Sequence, residues 1–327
     1  MNASALATAG RARIPARAAL LRTLRNNTAF LLLIVLIVAG TLLSDVFLTP
    51  RNLLNILFAV SVLGVVALGQ TMLLITGNFD MSVSYVVGLS GIVTVLAQIA
   101  GLGLAGSVLA GLGVGLGVGI VNGLLVVRTG ANPFLVTLGT ATLAYAASLM
   151  LTQSQTLYAP IEAFTLLGRG RIFGVLHYSV VIFIVLALVL ELVLRRTIFG
   201  RSLYVIGLNE TAGRLSGLSV RSSKIAAFAL CGGTAALAGL IMTARTGSTV
   251  ASAGVGMDFD SIIAAVLGGT SLFGGRGGAL RAVAGVLVLG VLNNLLVLLA
   301  VPFEAQQLAK GLVFLAVVWV DSVMRHP

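Results

Sequence analysis

Charge is scarce in this chain. Asp, Glu, Lys and Arg make up only 9% of its 327 residues, whereas about one quarter is usual for a soluble domain, so an ordinary water-soluble fold is excluded. Cysteine is nearly absent: Cys231 stands alone inside an apolar run, so no intrachain disulfide can form, and no Cys/His cluster has metal-ligand spacing. The two histidines, His177 and His326, fall beside an apolar run and at the C-terminus, where contact with lipid headgroups is the expected role. Nothing resembles a Ser/His/Asp or Cys/His grouping, an HExxH motif or a close carboxylate pair on one face, so catalysis has little to work with.

Apolar sequence is what the chain has in abundance. With 58% hydrophobic residues and a mean hydropathy of +1.12, it reads as an all-α, polytopic membrane helix bundle of about ten transmembrane segments. The runs are Ala29–Val46, Leu53–Thr76, Val83–Ala100, Leu102–Val127, Pro133–Thr152, Ser179–Leu194, Ile225–Ala244, Ser261–Phe273, Ala282–Val301 and Leu308–Val320. The eighth and tenth are shorter than the roughly 20 residues that cross a bilayer unaided, so tilt, re-entry or shielding by neighbours is expected there. Residues 1–28 carry Arg11, Arg13, Arg17, Arg22 and Arg25 without an acidic residue. That composition also fits an organelle transit peptide, but a basic cytoplasmic tail ahead of a single membrane domain, 29–327, is the preferred division.

The net charge of +11 would suggest nucleic acid in a soluble protein, yet the basic residues collect between apolar runs, where they anchor against a cytoplasmic leaflet. With a cytoplasmic N-terminus and ten spans, fifteen of the twenty Lys and Arg fall inside, the bias that the positive-inside rule requires. Both termini are then cytoplasmic. The densest basic block after the tail is the loop 195–224, with Arg195, Arg196, Arg201, Arg214, Arg221 and Lys224. Glu191 precedes Arg195 by one helical turn and is expected to pair with it, while Lys310 is expected to snorkel to the outer surface.

Gly111, Gly115, Gly119 and Gly123 recur at intervals of four, with Gly113 and Gly117 between them. This is a small-xxx-small packing face. It predicts close contact with a neighbouring helix of the same subunit rather than a dimer seam, and a central position in the bundle. Gly101, Gly103 and Gly106 match GxGxxG only formally, between two spans, and the cluster Gly274–Gly278 lacks a following Gly-Lys-Ser/Thr. The chain therefore has no nucleotide site of its own.

Polar residues near hydrocarbon are functional candidates by default. Asn78, Asp80 and Ser82 lie between the second and third runs, and Asp258 and Asp260 precede the eighth. Each Asp before an apolar run also reads as a helix cap, which is the favoured reading for Asp80 with Ser82 and for Asp260. Phe79-Asp80 and Phe259-Asp260 each open a segment with a glycine eight residues after the Asp, Gly88 and Gly268. They face opposite sides in the ten-span topology, the pattern of a possible inverted repeat. Gln70, Asn122, Thr137, Asn293 and Asn294 lie within runs; bonding between helices is their default role, and lining a solute path the alternative.

Four stretches resemble the permease subunits of the ribose/xylose/galactoside class of bacterial ABC sugar importers, within the broader family that includes branched-chain amino acid permeases. They are Thr76-Gly-Asn-Phe-Asp-Met-Ser-Val-Ser84, Asn132-Pro-Phe-Leu-Val-Thr-Leu-Gly-Thr140, Gly200-Arg-Ser-Leu-Tyr-Val-Ile-Gly-Leu-Asn-Glu-Thr-Ala-Gly-Arg-Leu-Ser-Gly217 and Ala264-Ala-Val-Leu-Gly-Gly-Thr-Ser-Leu-Phe-Gly-Gly275. Phe79 stands where Ile is usual, Ser84 where Gly is usual, and Arg281 where a small or polar residue is usual.

The resemblance implies alternating-access import of a monosaccharide across a bacterial inner membrane. It implies a second, identical permease subunit, a cytoplasmic ABC ATPase that uses ATP and magnesium, and a periplasmic sugar-binding protein. This chain itself holds no cofactor and is not an enzyme. Loop 195–224 becomes the coupling segment, with Asn209 capping a short helix, Glu210 and Thr211–Ala212 in its first turn, and Gly213 and Gly217 permitting close approach to the ATPase. With 6% aromatic residues and one tryptophan, Trp319, the path is expected to hold its solute weakly. The alternatives are an ABC permease for another small polar solute such as an amino acid, or an ion-coupled secondary transporter using Asp80, Asp258 or Asp260.

Overall fold

A computed structural model describes residues 28–323 of the chain. The basic tail through residue 27, with Arg325 and His326, lies outside them, as does the Trp319 side chain. The described residues are all-α apart from four two-residue strands.

The helices in order are α1 (Thr28–Leu43), α2 (Pro50–Ile75), α3 (Val83–Ile99), α4 (Gly103–Thr129), α5 (Pro133–Thr152), α6 (Glu162–Arg169), α7 (Tyr178–Arg196), α8 (Ile198–Leu208), α9 (Glu210–Leu215), α10 (Val220–Thr246), α11 (Met257–Leu267), α12 (Ala279–Leu298) and α13 (Phe303–Val323). Each of the ten apolar runs becomes one helix; α6, α8 and α9 are additional. Six of them, α2, α4, α5, α7, α10 and α12, are long and apolar enough to cross a membrane. With eleven residues, α11 spans about 16 Å at 1.5 Å per residue, half the thickness of a hydrocarbon core.

Local sequence sets the ends. Pro50 and Pro133 occupy the first turns of α2 and α5, after Thr49 and Asn132, whose side chains accept the N–H of Asn52 and of Phe134. A proline there costs nothing because its missing N–H would have been unpaired. Gly130, at φ 67°, closes α4 in the left-handed conformation that a side chain would resist.

The core is built on α2, where every residue from Ser61 to Ile75 except Leu63 is buried. A helix apolar on all sides belongs inside a bundle. It runs antiparallel to α10: Arg245 sits over the Phe58 ring at one end, and Cys231 Sγ donates to Gln70 Oε1 at the other. The glycine face of α4 packs antiparallel on α10, as expected. An added Cβ at Gly115 would fall 2.3 Å from the Gly232 carbonyl oxygen, and one at Gly119 2.3 Å from that of Phe228.

The central position expected for α4 is not observed. Gly111, Gly115, Gly119 and Gly123 are buried, but Gly113 and Gly117 meet nothing, and Leu109, Leu116, Ile120, Val121 and Leu125 are exposed. A stripe of small residues brings one face close to one partner and says nothing of the other faces.

The pairings fix the direction of each element. The ends of α2, α4 and α7, the starts of α5, α10 and α12, and both α8 and α9 lie at one end of the bundle, which holds Arg128, Arg195, Arg196, Arg201, Arg214, Arg221, Lys224, Arg276 and Arg281. The opposite end holds Arg51, Arg169, Arg171 and Arg245, with strands β1 (Leu157–Tyr158) and β4 (Ser248–Thr249) paired antiparallel and a hairpin of β2 (Arg171–Ile172) and β3 (Leu176–His177). There His177 stacks on Phe58 with centroids 3.8 Å apart. Glu191 pairs with Arg195 and accepts the N–H of Leu280 at the start of α12.

Candidate functional site

After α2 the chain turns at Gly77 and doubles back beside its own helix. Gln70 clasps the returning backbone on both sides, donating to the Asp80 carbonyl at 2.8 Å and accepting the Asp80 N–H at 3.2 Å. Such irregular backbone is tolerated at membrane depth only where other groups satisfy it. The fully buried Asp80 carboxylate accepts the Ser82 N–H at 2.8 Å, the Ser82 hydroxyl, and Asn122 Nδ2 at 3.1 Å. Thr137 Oγ accepts the Met81 N–H at 3.0 Å. Gln70, Asp80, Ser82, Asn122 and Thr137 thus form one buried network that fastens residues 78–82 to α2, α4 and α5.

A second interrupted element arrives from the opposite end, where the chain leaves α10, passes through β4 and enters α11. The two meet first turn to first turn: Ser84 Oγ donates to Asp258 Oδ1 at 2.8 Å and accepts the Asp258 N–H at 2.8 Å. Asp260 does not act as the cap expected of it. It pairs with Lys310 of α13 at 3.1 Å, both side chains being about one fifth exposed. That contact also replaces the outer-surface position expected for Lys310, because a cation inside the bundle is held best by a carboxylate.

Between these elements and the basic end lies a cavity of about 980 Å³. Its walls come from the returning segment (Asn78, Phe79, Met81), the α4–α5 turn (Asn132, Phe134), the first half of α11 (Phe259, Ile262) and the loop after it (Phe273). Glu210, Arg214, Arg221 and Lys224 line it on the side of α9 and the start of α10. At the basic end α2, α8 and the loop after α11 meet closely: the Gly275 N–H donates to the Ile75 carbonyl at 2.9 Å, and an added Cβ on Gly207 of α8 would lie 1.9 Å from that same oxygen.

Of the nine polar residues read as solute-path candidates, Asn78 lines this cavity. Asp80, Ser82, Asn122 and Thr137 lie behind the wall and hold it. Asp258 and Asp260 are engaged with Ser84 and Lys310. Asn294 exchanges two amide hydrogen bonds with Asn52 of α2, at 2.8 and 2.9 Å, and neither it nor Asn293 reaches the cavity. Phe79, which replaces a usual Ile beside the expected path, does line the cavity; Phe134, Phe259 and Phe273 also line it and were not singled out, because phenylalanine in an apolar chain reads as core or lipid contact. A usable sign was present: Phe79 and Phe259 occupy matching places before Asp80 and Asp260.

The segment 195–224 folds into α8, α9 and the first turn of α10. Asn209 accepts the Ala212 N–H at 2.9 Å, so it caps α9, and Glu210 occupies the first turn. Glu210 pairs with Arg214 at 3.0 Å and with Lys224. The hydrogen bond from Lys224 is the largest influence on its carboxyl, burial opposes it, and the net effect holds the group below the usual carboxylate range. Gly213 is buried against Val205, Ile206 and Leu218, whereas Asn209, Thr211, Ala212, Leu215 and Gly217 are exposed, with Leu208 beside them. Gly217, at φ 78°, makes the turn out of α9.

Among the described residues no group of three His, Cys, Asp or Glu could hold a metal ion. Comparison with known proteins agrees with a transport role. The family model described as branched-chain amino acid transport system / permease component matches residues 52–318. The chain is 36% identical to the ribose import permease protein of Bacillus subtilis over 89% of its length and 91% of that protein's. It is 37% identical to the ribose import permease protein of Escherichia coli, covering 91% and 94%. The D-allose transport system permease protein of Escherichia coli is 32% identical, covering 92% of each. No solved structure matches the chain. On the family model and these relatives together, the chain belongs to the branched-chain amino acid transport system / permease component family of membrane permeases.

Proposed function

We propose that this chain is the membrane permease of an ATP-driven importer that moves a monosaccharide inward across a bacterial inner membrane by alternating access. One observation carries the reading: a single cavity is walled by the interrupted backbone ahead of α3, by the first half of α11 and by Glu210 of α9 and Lys224 of α10. A helix that moves α9 would therefore move the wall of the solute path. The sugar class comes from the relatives, whose names specify ribose and allose.

All ten helices that descend from the apolar runs belong to the membrane domain, with α11 half-crossing and shielded by α2 and α12. The basic end is cytoplasmic by the positive-inside rule, which puts both termini there. Segments 79–88 and 259–268 are the matching parts of an inverted repeat, whose arms enter from opposite ends and meet at Ser84 and Asp258. Thr211, Ala212, Leu215 and Leu208 form an exposed, partly apolar surface outside the membrane helices, suited to a cytoplasmic ABC ATPase that carries ATP and magnesium. An identical second permease and a periplasmic sugar-binding protein complete the importer.

Uptake by proteoliposomes tests the reading. Radiolabelled ribose or allose should accumulate only with the ATPase, ATP and the binding protein together. Uptake driven by a proton or sodium gradient through the purified chain alone would overturn it in favour of an ion-coupled carrier. Uptake restricted to an amino acid would overturn the sugar class alone.

A further inference from the structure

The cavity concentrates aromatic surface that the composition of the chain conceals. Phe79 and Phe134 come from segments fifty-five positions apart, yet their ring centroids are 6.2 Å apart with planes inclined by 51°. Both rings line the cavity, as do Phe259 and Phe273. A tilted aromatic pair presents a ring face and a ring edge to a guest.

Polar groups beside the pair are complementary. Asn78 Nδ2 is used internally, donating to the Thr76 carbonyl at 3.1 Å and to Thr76 Oγ at 2.8 Å. Its Oδ1 accepts nothing from the described residues and remains as an acceptor on the cavity wall. Asn132 is used the other way: Oδ1 accepts the Phe134 N–H at 2.9 Å, so its Nδ2 is left as a donor. Aromatic faces with one amide acceptor and one amide donor beside them suit a ligand having a flat C–H face rimmed by hydroxyls.

We infer that Phe79 and Phe134, with Asn78 and Asn132, form a weak stacking station for a ring-closed sugar. The inference rests on the reading of the cavity as a solute path. At about 980 Å³ the cavity lies at the upper end of the range for small-molecule pockets, about 300–1,000 Å³, so a monosaccharide is touched on one side and released readily. The returning backbone holds the platform rigid, because the network around Asp80 lies directly behind Phe79.

Saturation-transfer NMR on the purified permease in lipid nanodiscs tests the station, with D-ribose as probe and the acyclic alditol ribitol as comparison. Ring C–H protons of ribose should receive saturation, and ribitol clearly less. Phe79→Ala or Phe134→Ala should weaken ribose binding roughly threefold to tenfold. Leu135→Ala, which alters an exposed residue outside the cavity, should bind as the parent does. Transfer no greater than in empty nanodiscs, equal transfer to ribitol, or unchanged transfer in both alanine variants would overturn the station. ATP-dependent uptake by the same purified permease, reconstituted into proteoliposomes with the ATPase and the binding protein, is measured in parallel: its absence defeats the proposed function, whereas normal uptake with unaltered transfer defeats the station alone.

Discussion

Ser84 and Asp258 join the first turns of α3 and α11 by two reciprocal hydrogen bonds of 2.8 Å across 174 positions of sequence. Each residue satisfies the other, so removing one strands its partner. Ser84→Ala should cost about 1–3 kcal/mol, the usual penalty for a buried partner left unpaired, read as a lower melting temperature in detergent. Ser84→Gly should cost at least as much, although Gly is usual there in the importers this chain resembles. Unchanged melting in both variants would show that the junction is held by packing alone.

The contact between α4 and α10 gives a prediction of opposite sign for two neighbouring glycines. Gly115→Leu drives a side chain into the Gly232 carbonyl, where even a Cβ would sit at 2.3 Å. Overpacking of this kind costs about 1–3 kcal/mol or more, so little folded protein should be recovered. Gly113→Ala meets nothing within 4 Å and should stabilise by about 0.5–1 kcal/mol through helix propensity. Size-exclusion profiles and melting curves of the two variants, compared side by side, check the pair.

Lys310 and Asp260 tie α13 to the start of α11. Asp260→Asn or Lys310→Gln should loosen α13 and speed amide exchange along it. The exchanged pair Asp260→Lys with Lys310→Asp should recover part of the protection, since the contact is an ion pair in either order. No change in exchange for the single variants would leave α13 held by apolar packing.

Glu210 supplies a pH test. Its folded-state carboxyl is held below the ordinary value of 4.5, first by the hydrogen bond from Lys224. A depressed carboxyl contributes stability above the unfolded value and loses it as pH falls through the folded one. Amide protection of α9 should therefore be flat from neutral pH down to about 5 and fall below it. In Glu210→Gln the acid-side fall should be absent and protection lower at neutral pH, by less than about 1 kcal/mol because the pair is partly exposed. An identical acid-side fall in the variant would assign the titration to another group.

The helices were legible because most of the apolar runs are bounded by Pro, Gly or charge, and hydrophobic length survives folding. The capped helix at Asn209 was legible for the same local reason. Burial was less so: the glycine ladder revealed one close face of α4, while the all-round burial of α2 has no periodic mark in a chain that is apolar almost everywhere. The polar candidates were found, and bonding between helices or to backbone, the default role read for Gln70, Asn122, Thr137 and Asn294, is the one they have; which of them act together was not legible. Asp80, Asn122 and Thr137 are far apart in sequence and act together behind the cavity wall. The aromatic part of that wall is phenylalanine, which hydropathy cannot separate from lipid-facing sequence.

The claim that α9 transmits the ATPase cycle to the cavity is tested most directly by ATP-dependent ribose uptake into proteoliposomes containing the permease, its ATPase and its binding protein. Glu210→Arg, which reverses the charge facing Lys224, and Gly213→Trp, which displaces α9 from Val205 and Ile206, are each compared with the parent at equal membrane insertion. The account predicts that uptake falls to the level seen without ATP in both variants. Normal uptake in either one would contradict it.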